Sequence, residues 1–180
     1  MDHVRVHGDR GSGTVRDLAF GGVIFDRDGT LVFDVPYNGD PDAIRFVPGM
    51  REALVRLRSA GVRTAVVSNQ SGVARGILTI DQVEAVNRRI DEELGPFDAW
   101  IYCPHGPGDG CECRKPQPKM IVDAAHAMEL EPERCLVIGD KESDEEAAAR
   151  AGARSALVTD PYGAIAAIEK LLSSTAGRAR

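Results

Sequence analysis

The sequence predicts an α/β fold in which helices cover both faces of a parallel sheet, and three observations lead there. From Gly22 onward, short apolar runs alternate with longer amphipathic stretches, the pattern of repeated βαβ units. Three of the apolar runs end on polar residues, Asp26, Ser68 and Asp140, which would place those side chains beyond the carboxyl ends of strands, where open sheets bind ligands. The chain of 180 residues also suits one domain, able to bury roughly two thirds of its unfolded surface without disulfides.

Residues 1–20 carry Gly8, Gly11 and Gly13 among Arg, Asp and Ser with no sustained apolar period. They read as a flexible N-terminal arm on which His3 and His7 are solvated rather than ligating. Residues 21–180 form a single domain with no internal repeat. Val23, Ile24 and Phe25 make a buried strand that ends on Asp26. After an extended loop, Pro48 and Gly49 open a helix whose Met50, Ala53, Leu54 and Leu57 keep helical spacing up to a stop at Gly61. Residues 64–67 are a second strand, ending on Ser68. Thr79 and Gln82 then form a capping box for a helix carrying Val83, Val86, Ile90 and Leu94, closed by Gly95 and Pro96.

Residues 99–102 make a third strand, which leads into a Cys-rich loop. Pro118 opens a helix bearing Met120, Ile121, Ala124, Ala125 and Met128, and residues 135–138 make the next strand. Ser143 and Glu146 cap a short Ala-rich helix. Residues 156–158 are a last strand, and Asp160 with Pro161 caps a final helix through Leu172.

Acidic residues outnumber basic ones 28 to 22, and no run of Lys and Arg marks a nucleic-acid or membrane surface. No apolar run approaches the roughly 18 residues that span a bilayer, and the N-terminus has no basic start followed by an apolar stretch. The expected setting is the cytoplasm, and the expected protein is a monomer that meets neither nucleic acid nor membrane. Four Cys in that setting argue against a disulfide framework, and Cys103, Cys111 and Cys113 crowd into one loop, which calls for a metal.

Asp26 and Asp28 flank an Arg in FDRDGT, and two carboxylates that close repel unless a cation holds them, which implies a hard divalent ion. The competing reading is a hairpin, since Asp28-Gly29 between VIF and LVF is a legitimate turn signal. An EF-hand fails for lack of matching acid spacing and a closing Glu. Ser68, Asn69, Gln70 and Ser71 offer hydroxyl, amide and backbone donors to a phosphate, or make an ordinary polar turn. Lys115, beside Arg114 and between prolines, is either a fixed cation for a phosphoryl oxygen or plain surface. Asp140 and Asp144 can complete a metal shell directly or through water, with Lys141 between them.

Taken together, DxDGT at Asp26 to Thr30, Ser68, Lys115 and the pair Asp140 and Asp144 resemble, in order, the four motifs of the haloacid-dehalogenase-like phosphatases, over about residues 22 to 160. The resemblance implies a Rossmann-like sheet and a Mg²⁺-dependent phosphomonoester hydrolase. Asp26 would attack phosphorus to form an aspartyl phosphate, while Asp28 protonates the leaving alkoxide and later activates water. Mg²⁺ would be held by Asp26, the Asp28 backbone carbonyl and Asp140, with Asp144 supporting, and Ser68 and Lys115 would bind phosphoryl oxygens. The segments after Thr30 and Ser71 are too short for a separate cap domain, so specificity falls to loops.

Cys103, His105, Cys111 and Cys113 give C-x-H-x5-C-x-C within residues 103–113, a ligand set for a structural, tetrahedral Zn²⁺. A disulfide is the alternative, against which a reducing compartment and the cramped Cys111-x-Cys113 spacing both count. Cys135 is a core residue. This loop and the following CRKPQPKM are similar to the branch of the family that holds heptose bisphosphate and histidinol-phosphate phosphatases. SNQSGVARG, from Ser68 to Gly76, is similar to the heptose members. That likeness implies a small phosphorylated sugar as substrate, lined by Asp34, Val35, Pro36 and Tyr37 with Arg114 assisting, and adds Asn69, Gln70, Ser71 and Lys141 as contacts. Two unlike readings remain, a polynucleotide 3′-phosphatase and a non-catalytic zinc or phosphate-binding protein, disfavoured by the acidic charge and by intact Asp26 and Asp28 respectively.

Overall fold

The computed structural model describes residues 4–6 and 20–176. The glycines and histidines of the expected arm, Gly8, Gly11, Gly13, His3 and His7, lie outside the described residues. Within that arm, strand β1 (Val4–Val6) runs antiparallel to a later strand, with Val4 opposite Ile101 and Val6 opposite Ala99. The chain continues through β2 (Gly22–Phe25), the two-residue strands β3 (Val32–Phe33) and β4 (Arg45–Phe46), α1 (Met50–Ser59), β5 (Arg63–Asn69) and α2 (Ile80–Leu94). Strand β6 (Ala99–Cys103), α3 (Lys119–Ala127), β7 (Cys135–Gly139), α4 (Glu142–Ala151), β8 (Arg154–Leu157) and α5 (Pro161–Ala176) complete it.

The main sheet has the order β1-β6-β5-β2-β7-β8, parallel throughout except for β1. The path runs from central β2 outward through β5 and β6, then returns to the other side of β2 for β7 and β8. That reversal at β2 and β7 is the switch point beside which doubly wound sheets open a crevice. Because strand residues alternate between faces, Val23, Phe25, Val66 and Ile138 pack in one core with Leu54, Ile90 and Ile168 from α1, α2 and α5. Ile24, Ala65, Val67 and Val137 pack in a second core with Met120, Ala124 and Ala147 from α3 and α4. Helices on both faces are what bury a parallel sheet, and among the described residues no cap domain is inserted.

The competing hairpin of VIF with LVF does not form, and some element bounds differ from those expected. VIF lies in the main sheet between β5 and β7, and Val32–Phe33 pairs instead with Arg45–Phe46. Burial explains this: Val23, Ile24 and Phe25 are fully buried, which a two-strand hairpin could not achieve. Helix α4 is capped two residues earlier than the expected Ser143. Its N-cap is Lys141, whose N–H donates to Asp144 Oδ2 at 3.1 Å, so Asp144 supplies the capping carboxylate. Strand β8 begins at Arg154 and α5 runs on to Ala176. The capping box of α2 forms as expected, with Thr79 Oγ1 accepting from Gln82 N–H at 3.2 Å and Gln82 Oε1 from Thr79 N–H at 2.9 Å.

Candidate active site

Strands β2, β5 and β7 end side by side, and their last residues and successors define the site. The Asp26 N–H donates to Ile138 O at 2.9 Å, which fixes Asp26 just beyond the sheet. Lys115 arrives from the segment after the Cys-rich loop and is 4% exposed. Its Nζ donates to Asp26 Oδ1 at 2.6 Å and to the Val67 carbonyl at 3.3 Å, and pairs with Asp144 Oδ1 at 2.5 Å. The Asn69 amide clamps the Lys115 backbone through bonds of 3.1 Å to both its N–H and its carbonyl.

Burial pushes the Asp26 carboxyl up to about 7; Lys115 opposes this, and the charges of Asp144 and Asp28 reinforce it. Burial works against the charge of Lys115, but Asp26 and Asp144 more than offset it and hold its pKa above the usual lysine value. Asp140 is also raised, by burial first and by Asp144, against Lys141. One buried lysine thus faces two acids, Asp26 and Asp144, at the strand ends.

A cation fits here. Ligand oxygens of Asp26, Asp140 and Asp144 lie within 4.8 Å of one another, and Asp140 Oδ1 is buried without a hydrogen-bond partner. Such a hard oxygen set suits Mg²⁺. Gly29, at φ +83°, lets the chain turn against Asp140, since a Cβ there would run into that carboxylate.

Asp28 stands at the edge of this cluster, its side chain 21% exposed. It accepts from Arg27 Nε at 3.0 and 3.1 Å and from Gln70 Nε2 at 2.9 Å. Gln70 Nε2 also donates to Ser68 Oγ at 2.7 Å, so one amide ties the second strand end to the first. Above them opens a cleft of about 260 Å³ lined by Asp28, Asp34, Val35, Pro36, Tyr37, Asn69, Gln70, Ser71 and Lys141, with Asn38 and Gly72 beside them. Arg75 lies over the Tyr37 ring at 5.7 Å. Arg114 is not on that lining; its Nη1 donates to the His105 carbonyl at 3.2 Å. Asn38, Gly72 and the buried Arg27 line the cleft without having been picked out as site residues from the sequence.

The loop after β6 gathers its four soft ligands. Cys103 Sγ is 3.6 Å from Cys111 Sγ, 3.1 Å from Cys113 Sγ and 3.5 Å from His105 Nδ1, which is 3.3 Å from Cys113 Sγ. None of the cysteines is in a disulfide, whose sulfurs would stand about 2 Å apart. Tetrahedral zinc with Zn–S near 2.3 Å spaces its sulfurs by roughly 3.8 Å, and this cluster is close to that size. Cys135, on β7, is buried in the core away from it.

The fold and this arrangement define the class. Residues 37–152 match the haloacid dehalogenase-like hydrolase family, and the chain belongs to it. It is a phosphatase of that family. Among curated relatives, the D-glycero-beta-D-manno-heptose-1,7-bisphosphate 7-phosphatase of Pseudomonas putida is 38% identical over 141 residues, 76% of this chain and 81% of that protein. The enzyme of the same name from Rhodopseudomonas palustris is 41% identical over 138 residues, covering 71% and 77%. Among solved structures, the D,D-heptose 1,7-bisphosphate phosphatase of B. bronchiseptica, complexed with magnesium and phosphate, superposes with a TM-score of 0.72 at 34% identity, covering 86% of this chain and 87% of that one. A putative had-like phosphatase from Mesorhizobium loti gives 0.73 at 31% identity and 93% coverage of both.

Proposed function

We propose that this phosphatase removes the C7 phosphate of D-glycero-D-manno-heptose 1,7-bisphosphate in nucleotide-heptose biosynthesis, acting as a cytoplasmic monomer. The observation that carries the reading is the buried cluster of Asp26, Lys115, Asp140 and Asp144 beside a small polar cleft, in a chain whose curated relatives bear that enzyme's name. Asp26 attacks phosphorus and the bond to the sugar oxygen breaks. Asp28 gives its proton to that oxygen, then takes one from the water that hydrolyses the aspartyl phosphate. Lys115 and Ser68 hold phosphoryl oxygens, and Asn69, Gln70 and Ser71 present donors to the substrate. Asp26, the Asp28 carbonyl and Asp140 would hold Mg²⁺, which supplies positive charge for the transferring group. Asp144 supports that set by fixing Lys115 and the start of α4.

Asp34, Val35, Pro36 and Tyr37 line the sugar, and Lys141 and Arg114 meet its second phosphate. Arg114 would have to leave the His105 carbonyl to do so. Histidinol phosphate, the competing substrate, presents a cation at that end. The heptose bisphosphate is therefore expected to exceed it by at least about a hundredfold in kcat/KM, roughly 3 kcal/mol. Phosphate release from both at one magnesium concentration measures this, and equal rates would reject the substrate while leaving the Asp26 chemistry standing.

The four loop ligands are proposed to hold one structural Zn²⁺, which leaves no open catalytic position and stiffens the segment that carries Arg114 and Lys115. Elemental analysis should find one zinc per chain that survives dialysis against magnesium. Cys111→Ser should lose it and lower both Tm and phosphate affinity. A metal-free chain with a Cys103 disulfide would overturn the proposal.

A further inference from the structure

The middle residue of the Asp26 to Asp28 stretch is a long cation, yet Arg27 is only 2% exposed and ranks among the largest fully buried side chains of the fold. Burying a guanidinium is costly unless its donors are met. Two partners meet them. The Nε and Nη2 edge faces Asp28, with Nη2 at 2.8 Å from Oδ2 and Nε at 3.0 and 3.1 Å from the two oxygens. On the other side, Nη1 donates to Asn87 Oδ1 at 2.8 Å. Asn87 is 7% exposed and sits on the buried face of α2 with Val83, Val86, Ile90 and Leu94, the one polar residue among them.

That helix face has no need of an amide for packing. An Asp side chain at a cleft edge can rotate about two bonds, whereas a forked guanidinium contact fixes the carboxylate in plane and direction. The backbone adds to the rigidity, since the Arg27 carbonyl accepts from Leu31 N–H at 3.0 Å and Val32 N–H at 3.2 Å. Helix α2 packs against α1 and the sheet, so it gives the guanidinium an anchor outside the catalytic loop.

We infer that Arg27 and Asn87 are positioning residues that aim Asp28 at the leaving oxygen, with Asn87 acting only through Arg27. The inference rests on the reading of Asp28 as the proton donor. It makes helix α2, which contributes no group to the reacting atoms, a determinant of the rate.

The test uses the leaving group. A nitrophenolate departs without a proton, whereas a sugar or primary alkyl oxygen needs one, and kcat/KM covers only the steps through phosphorylation of Asp26. Asn87→Ala should lower kcat/KM for the heptose bisphosphate, or for a primary alkyl phosphate, by about 10- to 100-fold, with p-nitrophenyl phosphate changed less than about threefold. Asn87→Asp, which keeps an oxygen acceptor, should restore the ratio of the two. A merely structural role would depress both substrates together and leave the ratio at its wild-type value, and that result overturns the inference. Should Asn87→Ala fail to fold, Arg27→Lys, which keeps the charge and loses the fork, reads the same ratio. Asp28→Asn is run beside them. If it too lowers both substrates alike, the proton-donor reading fails; if it is selective and the Asn87 and Arg27 variants are not, only the positioning inference fails.

Discussion

Asp26→Asn is expected to lower kcat by at least about 10⁴ while the chain still folds, because an amide of the same size cannot attack phosphorus. The buried setting adds a second, less obvious expectation. The folded, magnesium-free protein holds the Asp26 proton with a pKa raised to about 7, above the unfolded value of about 4. A carboxyl raised in this way contributes its stability fully below the unfolded pKa, and that contribution is lost as pH rises through the folded one. Asn carries no such loss. In magnesium-free buffer at pH 8 the variant should therefore melt no lower than wild type, and added magnesium should raise Tm for wild type alone. Turnover within tenfold of wild type would remove Asp26 from the reaction, and a clear fall in Tm at pH 8 would contradict the account of its burial.

Lys115→Ala should have the largest effect on folding. Its ammonium lies between Asp26 and Asp144, and deleting it leaves two buried carboxylates facing each other across an empty space. Breaking a buried pair from one side costs on the order of 3 to 5 kcal/mol. The loss should be greatest near pH 8 and shrink toward pH 5, where a proton on Asp26 replaces the missing charge, and magnesium should recover part of it. Activity should fall together with phosphate affinity, since the same Nζ is the proposed partner of a phosphoryl oxygen. Denaturant titrations at both pH values, with and without magnesium, measure the stability effect. A variant as stable as wild type at pH 8 would show that Lys115 is not what holds the two acids together.

Asp26, Ser68 and Asp140 were legible in the sequence because strand ends leave a strong trace, an apolar run that stops on a polar residue, whereas Lys115, between β6 and α3, was legible through the order of the motifs alone. The sequence pattern also yields the four zinc-type ligands, which are close together in the chain as well as in space. What it concealed has identifiable causes. Two-residue strands such as Val32–Phe33 and Arg45–Phe46 are too short to carry a period. An arginine is expected at the surface, so nothing announced that Arg27 would be buried. Asn87 falls in step with Val83 and Ile90 on the helix, and that spacing was the one available signal that a polar group faced inward. Ser143 looked like a cap, but Asp144 closes the first turn of α4 while also holding Lys115.

The architecture separates two kinds of change. The reacting groups are anchored where β2 is hydrogen-bonded on both sides, whereas residues 34–38 belong to an excursion between two very short strands, with Tyr37 44% exposed at its crest. Substitutions in that excursion are expected to alter what the cleft admits at little cost to the sheet beneath. A lineage carrying this fold can exchange one phosphorylated metabolite for another in small steps, with the machinery for breaking the ester left undisturbed throughout.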